Sequence, residues 1–151
     1  MSPNESTLLN SHFVSTLLMV GIIWFVQIVH YPLMIYVDEA RFREYSDTNR
    51  ARTTWVVGGP MLLEALTAAA LIAWYPERLL IRPFLASILL LLLIWISTAV
   101  WQIPLHARLA QGFNPQAIRQ LARSNWLRTI AWSVRAVLVG MTVLPPAPIH
   151  S

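Results

Sequence analysis

A small set of polar side chains stands in or beside the apolar segments of this sequence, and their types suit acid–base and anion chemistry. Gln27, His30 and Tyr31 close one apolar stretch, QIVHYPLM, while Gln102 and His106 close another, WQIPLHARL. Trp24, Gln27, His30, Tyr31 and Met34 recur at spacings of three, four and seven, which predicts one shared helix face; Trp95, Thr98, Gln102 and His106 do likewise. A histidine in such a place can be a general base or, opposite a second histidine, an axial ligand to haem. It can equally be interhelical hydrogen-bond glue worth about 1 kcal/mol or less. Asn49 with Arg52, and Asn125 with Arg128, supply donors and positive charge for an oxyanion or an anionic headgroup. Glu64 and Arg135 stand near the middle of apolar runs, where an unpaired charge costs at least about 2.5 to 3.5 kcal/mol. Glu64 is therefore expected to pair with Arg135 first and Arg128 second. The catalytic candidates are His30, Glu64, Arg128 and Arg135. The candidates for binding a substrate or cofactor are Gln27, His30, Tyr31, Asn49, Arg52, Gln102, His106 and Asn125.

Other chemistries are excluded by composition. There is no cysteine, hence no disulfide, thiolate ligand or thiol nucleophile. All 11 basic residues are arginine, so no lysine forms a Schiff base or acts as a base. No GxSxG, HExxH or Walker pattern occurs, and Gly58-Gly59 before Pro60 is the only glycine pair. Carboxylates are too few to complete a metal shell, so no metal site is expected.

The elements that position these residues follow from hydropathy. Of 151 residues, 56% are hydrophobic and 12% charged, and the mean hydropathy is +0.55. Soluble domains carry about 25% charged residues, so lipid is the expected solvent. Four apolar runs approach the ~20 residues that cross a hydrocarbon core: about 13–36, 54–74, 84–103 and 126–144. The first is too long for a cleaved signal peptide and lacks a basic n-region and an A-x-A site. Backbone satisfaction in lipid requires these runs to be helices. The expected fold is all-α, a single integral membrane domain over 1–151 forming a four-transmembrane-helix bundle. Tyr75 to Pro83 reads as a tight hairpin. The longer connections, around Phe42 and Tyr45 and around Ile118 and Leu121, read as amphipathic segments lying at the interface. His12 and His150 flank the outer ends and are expected to be solvated. The tail PPAPIHS cannot continue a helix.

Arginine placement predicts orientation. Arg41, Arg43, Arg50 and Arg52 follow the first run, and Arg108, Arg119 and Arg123 follow the third. The opposite side has Arg78 and Arg82. The positive-inside rule puts the arginine-rich loops in the cytoplasm and both termini outside. The net charge of +4 is accounted for in this way, and nucleic acid is not an expected partner.

The chain also carries a hidden register. His30, Arg43, Asn49, Arg52 and Thr53 reappear 76 residues later as His106, Arg119, Asn125, Arg128 and Thr129. That predicts two tandem helix hairpins, 1–75 and 76–151, related by a pseudo-two-fold axis. Of ten identities in the 75 aligned pairs, four are Leu–Leu, so duplication and coincidence both stand.

QIVHYPLM followed by FREY and RTTWVVGGPMLLEALTA, then WQIPLHARL and NWLRTIAWSVR, resemble a group of small bacterial four-helix integral membrane proteins of uncharacterised function. The resemblance covers most of the chain from Trp24 to Arg135 and implies a bacterial inner-membrane protein. More loosely, the four-helix layout is similar to the anthrone-oxygenase-like family, whose fungal members act on polycyclic phenolics. Three functions follow as expectations. One is binding or redox transformation of a hydrophobic, anionic or phenolic small molecule, with His30 as base and Arg52, Arg128 or Arg135 at an oxyanion. Another is a bis-histidine haem protein built on His30 and His106. The third is a structural or accessory subunit, or a small carrier, acting as a homo-oligomer or with a membrane partner.

Overall fold

A computed structural model describes residues 1–143; the tail, including His150, lies outside the described residues. The described residues form four long helices and no strand. Helix α1 spans Pro3–Tyr36, α2 Glu39–Trp74, α3 Arg82–Leu109 and α4 Pro115–Val143. The first three, of 34, 36 and 28 residues, are long and apolar enough to cross a membrane. At 1.5 Å per residue they measure about 40 to 55 Å, beyond a ~30 Å hydrocarbon core.

The helices start on local signals. Ser2 caps α1 through a reciprocal box with Glu5, and Pro3 occupies the first turn, where its missing N–H costs nothing. The helix thus starts well before the apolar run at Phe13, and His12 falls inside it. Asp38 accepts from the Ala40 amide at 2.8 Å and starts α2. Asn114 accepts from the Ala117 amide at 2.9 Å, just ahead of Pro115, and starts α4. Gly112, at φ +146°, makes the turn between α3 and α4 in a region closed to other residues. The connections are accordingly short. Phe42, Ile118 and Leu121 do not form separate segments. They belong to the N-terminal turns of α2 and α4 and are buried in the bundle, because their apolar faces can cover one another there.

Two prolines change the register of their helices. Before Pro32 and before Pro104, 72 residues apart (104−32), the helix widens into a π-turn, Val26–His30 and Thr98–Gln102. Proline cannot accommodate the carbonyl of residue i−4. In both turns the residue ahead of it donates five back instead, Tyr31 to Val26 and Ile103 to Thr98.

α1 packs against both α2 and α4, and α3 packs against α4. Three core clusters stack along the bundle. Leu9, Leu71 and Phe84 lie at the end of the 76–80 turn, Met19, Met61 and Trp132 in the middle, and Met34, Phe42 and Leu121 at the arginine-rich end. α4 is amphipathic in the inverted sense. Its exposed face carries Ile130, Val134, Val137 and Met141, while its buried face carries Asn125, Arg128, Trp132 and Arg135.

Candidate functional site

All four helices contribute to one buried polar cluster. Glu64 of α2 is ion-paired with Arg135 of α4, and both side chains are fully buried. Glu64 also accepts from Thr16 Oγ1 at 2.7 Å and from Trp132 Nε1 at 3.1 Å. Arg135 Nε donates to the Ser87 carbonyl of α3 at 2.9 Å, and its Nη2 lies 3.2 Å from His12 Nε2. A guanidinium can only donate, so Nε2 accepts and the His12 proton is on Nδ1. Nδ1 donates to Thr67 Oγ1 at 2.9 Å, and Thr67 donates onward to the Leu63 carbonyl at 2.7 Å. His12, expected to be solvated, is instead fully buried at this centre. Its signal in the sequence was the Ser2–Glu5 capping box, which extends the helix beyond the apolar run.

A second arrangement lies one turn away toward the arginine-rich end. Trp132 joins the two: its Nε1 serves Glu64, and its ring faces the Arg128 guanidinium 5.0 Å from the centroid. Arg128 Nη1 donates to Asn125 Oδ1 at 3.1 Å, Asn125 donates to Gln27 Oε1 at 2.9 Å, and Gln27 donates to the Ala122 carbonyl at 3.1 Å. Arg128 is 5% exposed, yet among the described residues no carboxylate comes within ion-pairing distance of it. Its Nε is the one buried side-chain nitrogen or oxygen among the described residues that lacks a hydrogen-bond partner.

Arg128 borders a cavity of about 280 Å³. Ile23, Val26 and Tyr31 of α1, Arg50, Thr53 and Met61 of α2, and Thr98, Gln102 and His106 of α3 line it as well; no Asp or Glu does. Tyr31 Oη donates to Gln102 Oε1 at 3.3 Å, which leaves its oxygen to accept from His106 Nε2 at 3.4 Å. Gln102 is held in turn by Ser124, 3.0 Å away. The cavity is mostly apolar with a few converging polar groups, the common form of a small-molecule site. Arg50 and Thr53 were not among the expected site residues, because they precede the second apolar run in a connection expected to be an amphipathic segment at the interface.

The other candidates are separated from this cavity. Gln27, His30 and Tyr31, expected on one face, address three different helices: Gln27 reaches α4, His30 bonds Asn49 of α2 at 3.1 Å, and Tyr31 faces α3. The π-turn breaks the 3.6-residue period between them. His30, Asn49 and Arg52 line a separate outward groove between α1 and α2. Of the three arginines considered for an oxyanion, Arg52 is exposed and Arg135 is committed to Glu64; Arg128 is unpaired. The two histidines do not form an axial pair. Tyr31 stands between them, with ring centroids 5.6 Å from His30 and 6.1 Å from His106. Both Nε2 atoms already face protein partners, so the site does not fit haem. Among the described residues no three His, Asp or Glu side chains converge as a metal site would require.

No protein-family profile matches the chain, and no curated protein or solved structure does.

Proposed function

We propose that the protein is an integral protein of the bacterial inner membrane whose cavity binds a hydrophobic small molecule with an anionic or phenolic head. The observation that carries this is Arg128, a buried guanidinium bordering the cavity with a free donor and no carboxylate. A phenolate or carboxylate there would gain charge-assisted hydrogen bonds in surroundings of low dielectric. His106 and Tyr31, rather than His30, are the groups in position to exchange a proton with it.

All four helices cross the membrane in this reading, with both termini outside. The inverted amphipathicity of α4 supports the fourth span, because its arginines face inward and its outer face suits lipid. A tandem-hairpin origin draws support from the paired π-turns, at an offset of 72. The polar residues that repeat at 76 are out of step with them by about one helical turn. A structural or accessory role is the second reading, favoured by the closed cluster at Glu64.

Thermal unfolding of the detergent-solubilised protein tests the site. 1-Hydroxy-2-naphthoate is expected to raise the midpoint, naphthalene to leave it unchanged, and Arg128→Gln to remove the shift. Equal shifts in wild type and variant would refute the anion site. For topology, alkaline phosphatase fused after Ser151 is expected to be active. An inactive fusion with a fluorescent cytoplasmic reporter at the same position would reverse the orientation.

A further inference from the structure

We propose that the occupant of the cavity is a single-chain anionic lipid that enters sideways from the bilayer between α2 and α3 and sets its head against Arg128. This rests on the cavity being the binding site. The walls are unequal. Tyr31, Gln102 and Arg128 are buried and form the floor, whereas the exposed lining residues, Arg50, Thr54, Ile103 and Ala107, come from α2 and α3 alone. α1 and α4 close the rear by packing on each other. α2 and α3 share core clusters on either side of the mouth, Met61 with Ile94 in the middle of the bundle and Phe42 with Leu109 at the arginine-rich end.

The mouth also has a polarity. From Met61 through Val57 and Thr54 to Arg50, α2 passes from apolar to cationic over about 16 Å. α3 lines the facing wall with Thr98, Ile103 and His106 and adds no cation, so the charge at this end comes from Arg50 and Arg128. The apolar end lies within the apolar runs and the cationic end at their arginine-rich boundary. An amphiphile in that leaflet already has its head and tail in this order. The cationic, carboxylate-free wall selects a negative head. A cavity of about 280 Å³ is at the small end for ligand sites, which favours one chain over two.

The test uses the full chain in phosphatidylcholine nanodiscs, irradiated with hexadecanoic acid bearing a mid-chain diazirine, with adducts mapped by peptide mass spectrometry. Adducts are expected to concentrate on Val57, Met61 and Thr98 rather than on the exposed α4 residue Val137. Hexadecanoate is expected to compete and hexadecanol not to. Arg128→Gln is expected to lower the yield about tenfold, equivalent to ~1.4 kcal/mol. Arg50→Gln, at an exposed position where folding is not at stake, is expected to lower it less but measurably. Adducts spread evenly over the lipid-facing surface, equal competition by the alcohol, or indifference to both substitutions would each overturn the proposal. If it fails while 1-hydroxy-2-naphthoate still stabilises wild type but not Arg128→Gln, the cavity takes a soluble anion and lipid entry is wrong. If both fail, the binding site itself is refuted.

Discussion

Glu64 and Arg128 lie on one polar seam, joined by the indole of Trp132, and their surroundings are opposite in kind. Around Glu64, Arg135, His12, Thr16 and Trp132 are bonded to one another, and the guanidinium reaches groups on three other helices. Around Arg128 the groups are neutral: a hydrogen bond to Asn125, the neighbouring Tyr31 hydroxyl, one aromatic face, an unpartnered Nε and a cavity. Both residues are buried arginine–acid chemistry by type, but only the first arrangement is complete. Burial of a charge therefore does not by itself mark a site. A completed pair pins the helices, and an incomplete one retains capacity for a ligand.

The largest expected effect lies in the completed cluster. Glu64→Gln and Arg135→Gln are each expected to cost about 3 to 5 kcal/mol, because each leaves the other charge buried and uncompensated. The double variant is expected to recover part of the loss. Thermal unfolding in detergent reads all three, and strictly additive losses would mean that the two charges are not coupled.

Arg128→Gln sharpens the contrast. Removing an unpaired buried charge offsets the loss of the Asn125 bond and of a cation–π contact of up to about 2 kcal/mol. The net change is expected to be well below that of Arg135→Gln in the same assay. A loss as large as for Arg135→Gln would erase the distinction between pinned and open regions.

The smallest effects rank the histidines. His12→Phe removes the acceptor for Arg135 Nη2 and the donor to Thr67, and is expected to cost about 1 to 3 kcal/mol. His30→Phe removes one bond, to Asn49 at the half-exposed groove, and is expected to cost about 0.6 kcal/mol. The order follows from the midpoints of the two variants, and its inversion would contradict the cluster as described.

Much of this was legible in the residues alone. The long helices follow from run length and composition. The pairing of Glu64 with Arg135 follows from depth, since the cost of a lone charge in an apolar run holds whatever the neighbours are. The helical register of Gln27, His30 and Tyr31 was less legible. A 3.6-residue period assumes an unbroken ladder, and the π-turn ahead of Pro32 alters that ladder within those residues. Arg50 and Thr53 were hidden because charge ended the second apolar run at about residue 54 and set them in a connection expected at the interface. The choice of which arginine stays unpaired was beyond sequence altogether. Arg128 and Arg135 lie two turns apart on one helix face, alike in type and flanking. What separates them is that Glu64 of α2 comes level with one of them, while a gap between α2 and α3 borders the other. Sequence determined that buried charge would be present and would seek a partner; the relative placement of helices decided where a partner was supplied.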